Sequence, residues 1–135
     1  MAKETGLGWT TCSVDDSAGS LRALVNDVTG VSFSIPRAVQ DVTGLDKSAI
    51  ERLLLLSDFS VTIDGVFNDA SNVSHDVFKT VGSADVARTV TMVVSGQTLT
   101  NECLLTDYAL TRASTGEFTY SVPAVLQSGT DPTWA

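Results

Sequence analysis

Val31, Phe33 and Ile35 alternate with Ser32 and Ser34. A period of two sends successive side chains to opposite faces, as a half-buried strand requires. The same pattern recurs at Phe59, Val61 and Ile63, with Ser60, Thr62 and Asp64 between them, and runs on to Gly65-Val66-Phe67. It returns at Val90, Met92 and Val94, which alternate with Thr89 and Thr91. Residues 9–14 alternate more weakly and predict a first strand. Leu21, Ala23 and Val25 alternate with Arg22 and Leu24 and predict a second. Residues 97–112 read as one long strand, with Leu104, Thr106, Tyr108 and Leu110 on one side. The stretch Ala113-Ser114-Thr115-Gly116 is a hairpin loop, and Phe118, Tyr120 and Val122 begin the return strand. Pro36 ends the strand before it or places it at an edge, and Pro123 is predicted to bend the return strand. Residues 126–135 read as a tail with Trp134 near its end.

Two stretches switch to a helical period. Ser48-Ala49-Ile50-Glu51 has the form of a capping box, Ser at the N-cap and Glu three residues on. Ile50, Leu53 and Leu54 then share one helical face, which predicts a short helix over 49–56. Leu55 and Leu56 point away from that face, so the helix is either buried all round or meets a second surface. Val77, Phe78 and Val81 predict another short helix over 74–81. Residues 37–47 read as extended or looped, and 15–19, 68–72 and 82–85 as turns or loops. The hexapeptide VNDVTG at 25–30 returns as VQDVTG at 39–44. One pair is no repeat array, which needs at least three units; Asp, Thr and Gly are turn formers, and the two copies read as two reversals. The sum is about seven strands and two short helices. Hairpin-length links make the class mainly β: an antiparallel β-sandwich or barrel with a short flanking α-helix.

A chain of 135 residues suits one domain with a real core. Apolar residues make up 43% and charged residues 18%, the balance of a globular chain rather than a disordered one. The opening MAKETGLG has no apolar run, and the longest aliphatic run is only Leu53 to Leu56. Synthesis in the cytosol, without a signal peptide or a membrane-spanning helix, is therefore expected. Cys12 and Cys103 each lie in strand-like sequence and are expected to be buried free thiols. The net charge of −8 argues against direct binding of DNA or RNA. It does suit a surface that a polyanion must pass without sticking.

No motif for catalysis or a cofactor is present. The sequence has no phosphate-binding loop, no dinucleotide fingerprint and no nucleophile elbow. His75 is the single histidine, so a zinc site is not expected. Asp64, Asn68 and Asp69 lack the spacing of a calcium loop. An acidic, strand-rich chain without site chemistry points to assembly rather than catalysis.

The segment VSFSIPRAVQDVTGLDKSAIERLLLLSDFSVTIDGVFND, followed by SHDVFKTV, resembles the tail tube (major tail) proteins of long-tailed bacteriophages. So does VTMVVSGQTLTNECLLTDYALTRASTGEFTYSVPAVLQSG. About 100 residues are covered, in order. The resemblance implies a single tail tube domain over 1–135 and subunits that join sheets into hexameric rings. The rings stack into a tube through which viral DNA reaches the host. It implies an N-terminal arm at 1–8, a long inter-subunit loop at 37–47 and a C-terminal tail at 129–135 that help rings to stack. By the same analogy Ser60, Thr62, Asp64 and Asp107 would face the lumen. Arg37, Val39, Asp41, Leu45, Leu55, Leu56 and Trp134 would meet neighbouring subunits. Further partners would be the tail tip or baseplate and the tail terminator, with no cofactor, no metal, no catalytic residue and no membrane. The location would be the virion tail, after synthesis in the host cytoplasm.

Two other readings remain open at this point. One is a tube protein of a contractile or secretion-type system. The other is a small β-barrel module that binds a lipid or sugar, which would need an enclosed apolar pocket and would stay monomeric.

Overall fold

A computed structural model describes Lys3 and residues 5–135. The strands are β1 (Trp9–Asp15), β2 (Leu21–Ala23), β3 (Val28–Ser34), β4 (Arg37–Asp41), β5 (Arg52–Ser57) and β6 (Ser60–Val66). After the helix α1 (Ser74–Phe78) come β7 (Arg88–Val94), β8 (Gln97–Leu105), β9 (Ala109–Arg112) and β10 (Phe118–Leu126). Every pairing is antiparallel. Eight strands form one sheet in the order β2-β1-β7-β8-β10-β6-β3, with β9 also on β10. The other two, β4 and β5, pair only with each other. The mainly β, antiparallel class expected from the alternation is the class observed.

The sheet folds over on itself, and its distant strands meet. Trp9 of β1 stands edge-on to Phe33 of β3, with ring centroids 6.2 Å apart. The enclosed core takes alternate residues from both halves. Val61 and Ile63 come from β6, Val90 and Met92 from β7, Leu99 and Cys103 from β8, and Tyr120, Val122 and Ala124 from β10. Helix α1 closes the open end with Val77 and Phe78, both fully buried. A charged side chain secures it. Arg88 of β7 is 1% exposed; its guanidinium donates to the Val77 carbonyl and, over 2.8 Å, to the Thr80 hydroxyl. The two residues Ser95 and Gly96, both at positive φ, make the tight β7–β8 turn, a backbone that fits the right-handed twist of the pair. The Gly8 carbonyl accepts from the Ser95 amide, which ties the start of the chain to that turn.

Several expectations need correction. The helix predicted at 49–56 is instead the second half of a β-hairpin, and part of the predicted 37–47 loop is its first strand. Ser48 caps nothing: Thr43 takes up the Glu51 backbone, accepting its amide at 2.9 Å. The Val42 amide donates to the Glu51 carbonyl. A leucine run with good helix propensity has yielded to cross-strand pairing. The second hexapeptide copy therefore ends a strand and enters a hairpin tip rather than a capped helix. The first copy is a turn into β3 whose Asp27, buried, accepts from Asn68 and the Ser74 amide. Around β2 the burial phase is reversed: Leu24 is buried, while Leu21 and Val25 are exposed. The long strand at 97–112 is two strands, and the buried side of β8 is Leu99, Asn101 and Cys103, not the side of Leu104.

Pro123 does not break β10. Its carbonyl accepts from the Thr106 amide, so the edge it turns to the sheet is the β8–β9 side. In an antiparallel strand the N–H and C=O of one residue point the same way. Pro123 thus places its missing N–H opposite residues 106–108, where the partner strand is interrupted, and no ladder bond is lost.

Candidate assembly surfaces

Two surfaces stand out on the fold, an exposed apolar hairpin and a sheet face rich in hydroxyl side chains. The hairpin consists of β4, β5 and the tip between them. Every residue of β4 is exposed, and so is every residue of β5 except Ser57. In the ladder Val39 opposes Leu54, Gln40 opposes Leu53 and Asp41 opposes Arg52. The register shifts between Arg37 and Val39, so β5 carries an extra residue there, as in a bulge. Leu53, Leu54 and Ile50 are each more than half exposed, Leu56 is 90% exposed and Leu45 at the tip is wholly exposed. A two-stranded ribbon with so many solvated leucines buries nothing on its own account.

The hairpin's polar groups fix its shape. Asp41 accepts from both the amide and the hydroxyl of Thr43, at 2.9 and 2.6 Å. These bonds, the hydroxyl first, hold the Asp41 carboxyl below its ordinary pKa. At the base the Arg37 Nε donates to the Leu55 carbonyl at 3.0 Å. The Ser57 hydroxyl donates to Asp131 at 2.9 Å, linking the hairpin to the C-terminal segment. An open groove of about 830 Å³ lies between them, lined by Ile35, Leu54, Leu55, Leu56 and Pro132 with Arg37 and Asp131 among its polar groups.

The second surface is the outer face of β3, β6 and β10. Ser60, Thr62 and Asp64 lie on it, opposite in direction to the buried Val61 and Ile63. The rungs read Ser34–Ser60–Val125, Ser32–Thr62–Pro123 and Gly30–Asp64–Ser121. The Ser34 and Ser60 hydroxyls are 3.2 Å apart. Asp64 is the only charged residue in these three strands. The net negative charge thus lies elsewhere, and this face mixes hydroxyls with Val66, Pro123 and Val125 and carries one carboxylate. Asp107 does not join it as a strand residue. It lies in the β8–β9 link, exposed, with its carboxylate accepting from the Tyr108 amide at 2.8 Å.

The structure brings together Arg37, Val39, Asp41, Leu45, Leu55 and Leu56, all on the hairpin, and groups Ser60, Thr62 and Asp64 on the sheet face. Trp134 is separate from both sets. Its backbone bridges to Leu99 of β8 and its ring meets Phe33 at 5.9 Å, leaving it 44% exposed. Sequence reasoning missed Leu53, Leu54 and Ile50 as surface residues because it placed them on a buried helical face. A strand reading of RLLLLS would have shown leucines on both faces of a ribbon. Of the expected N-terminal arm, Met1, Ala2 and Glu4 lie outside the described residues, and Gly6–Gly8 form a single 3-10 turn.

His75 is half-buried between Phe67 and Tyr108, its Nδ1 3.2 Å from the Tyr108 hydroxyl. Among the described residues no three His, Cys, Asp or Glu side chains cluster as a metal site. No described helix is long and apolar enough to cross a membrane.

No family model matches the chain, and no curated protein matches it in sequence. Solved structures do. The fold is similar to a chain from the tail of an empty GTA particle, computed with helical refinement and C6 symmetry. That likeness has a TM-score of 0.75 at 16% identity and covers 98% of each chain. It is similar to a chain of the virion of a native gene transfer agent particle, with a TM-score of 0.71 at 17% identity over 97% of this chain and 99% of the other. A third likeness is to the 6-fold symmetrised baseplate of the anti-feeding prophage, with a TM-score of 0.69 at 11% identity over 100% and 97%. The tail-protein fold expected from the sequence resemblance is therefore the fold of this chain.

Proposed function

We propose that this chain is a non-enzymatic structural protein of a phage-like tail. Within that class we assign it to the tail tube: six copies form a ring, rings stack, and the outer face of β3, β6 and β10 lines a conduit for DNA. The single observation that carries this reading is the exposed hairpin, where Leu45, Ile50, Leu53, Leu54 and Leu56 are each more than half exposed within one two-stranded ribbon. Leucines on both of its faces are unstable in water and need a protein neighbour. Its residues 37–57 include the stretch that the resemblance assigns to subunit contact. Whole-length likeness to chains of sixfold tail and baseplate assemblies supports the same reading.

The outer sheet face suits a passage for a polyanion. Short hydroxyl side chains give hydrogen-bonding partners to water and no cation to hold phosphates. Asp64 adds one carboxylate per subunit, a repulsive ring if six copies close. Under this reading the partners are other copies, the tail tip or baseplate, and the terminator, and the chain resides in the virion tail.

A second reading, a tube or baseplate protein of a contractile, secretion-like apparatus, draws on the likeness to the anti-feeding prophage baseplate. A monomeric ligand-binding barrel is disfavoured because the apolar surface lies on a ribbon rather than around an enclosed cavity. Electron microscopy of the concentrated protein, beside its mass in solution, tests the proposal. Sixfold rings or hollow tubes are expected. A species that stays at 14.2 kDa at every concentration, and that adds to no preformed tail tip, would reject it.

A further inference from the structure

The hairpin offers apolar side chains at its tip and an apolar groove at its base, and the charges at the two ends are complementary. At the tip, Leu45 is wholly exposed and Ile50 is 61% exposed. Between them Asp46 and Lys47 form only a loose pair at 4.0 Å, with Asp46 largely in solvent. Such a pair contributes little to stability and exchanges partners readily. At the base, the groove has a leucine and proline lining. Its Arg37 reaches only a backbone carbonyl, and its Asp131 only a serine hydroxyl. Neither has an ion-pair partner among the described residues.

We propose that the groove at the hairpin base, between β5 and Pro132, receives the hairpin tip of a second copy. Leu45 and Ile50 enter the apolar lining, Asp46 meets Arg37 and Lys47 meets Asp131. The occupant must be another molecule. The five residues of β4 alone separate base from tip by about 17 Å at ~3.3 Å per residue, so a chain cannot fill its own groove. A contact that uses different patches on the two copies is head-to-tail, and repeats into a closed ring or an open filament. This inference rests on the assembly reading above and names the surface that accepts the hairpin.

Charge reversal tests it. Asp46→Arg and Arg37→Glu, each alone, place like charges at every contact, and each is expected to lower the assembled fraction at least tenfold. Mixed in equal amounts, the two variants should assemble again. The tip of the Asp46→Arg copy then meets the groove of the Arg37→Glu copy, and the reverse contact has the original pair. A chain that had merely misfolded gains nothing from mixing. As a second measurement, Asp46→Cys combined with Arg37→Cys should give a ladder of cross-linked chains with a short bis-maleimide, whose reach matches an Asp–Arg contact better than a disulfide does, since both natural cysteines are buried. Normal assembly by each single variant together with no ladder overturns the groove assignment and leaves the tube reading standing. Failure of the unsubstituted protein to assemble, alone or on a tail tip, with no ladder from the cysteine variant, overturns both.

Discussion

The Tyr120 hydroxyl fills the space that a side chain on Gly65 would need. The two residues face each other across the β6–β10 ladder. A β-carbon on Gly65 would stand 2.5 Å from that hydroxyl and 2.5 Å from the Asp27 carbonyl oxygen. The tyrosine ring has some freedom, but the Asp27 carbonyl is backbone and accepts from the Val66 amide. Gly65→Ala is therefore expected to destabilise the free chain by about 1–3 kcal/mol, the range for overpacking a filled interior. A urea midpoint unchanged from the parent would show that the turn at 25–27 yields freely.

Arg88, buried within reach of the charges of Asp15 and Asp16, should matter to stability chiefly through its bonds to α1. Replacing it with Met keeps most of the volume but strands the Val77 carbonyl and the Thr80 hydroxyl at the end of α1. Loss of hydrogen bonds from a charged donor costs about 1.5–3 kcal/mol. Arg88→Met should lower the unfolding midpoint and raise amide exchange first over 74–80. Uniform loss of protection across the sheet, with α1 no worse than β6, would contradict the anchoring role.

Burial pushes the Cys12 thiol up to about 11 and the Cys103 thiol up to about 12, with Glu102 adding to the latter. Unfolded thiols ionise near 9.0. The stability this provides is complete below pH 9 and is lost as pH rises toward 11 and 12, because the unfolded chain then ionises where the folded chain does not. At pH 8 a thiol reagent should label the native protein very slowly, and both cysteines quickly once denaturant is added. Rapid labelling of the native chain would mean that the core opens locally.

Asp64→Lys is expected to leave stability within about 0.5 kcal/mol of the parent, as for exposed substitutions away from special features. If six copies close as proposed, it would turn a ring of carboxylates into a ring of ammonium groups. DNA release should slow, and should recover as salt screens the attraction. Release at the parent rate in low salt would remove the β6 face from the conduit.

Much of the sheet was legible in the sequence because alternation is a local signal. Phe59, Val61 and Ile63 announce β6, and Val90 and Met92 announce β7. The Gly116 loop follows from turn chemistry. The hairpin was not legible as such. Ile50 to Leu56 satisfies a helical pattern as well as a strand pattern, and the bond that decides, from the Glu51 amide to Thr43, spans eight residues. The break at 106–108 was hidden for a similar reason: Tyr108 turns inward to Phe78 and Tyr120, which no local period encodes. The candidate surface was partly visible. Leu55 and Leu56 were marked because they fitted no single buried face, whereas Leu53 and Leu54 were hidden by the helical reading.

The Asp41–Thr43–Glu51 linkage settles which leucines the ribbon shows on which face. A one-residue slip in a hairpin exchanges the two faces, and here it would set Leu53 or Leu55 beside Val39 in place of Leu54. With the register pinned in the free chain, a partner meets a surface already shaped, and little conformational entropy is left to lose on contact. Under the assembly proposal, a threonine hydroxyl that touches no neighbour would then help decide which leucines the neighbour meets.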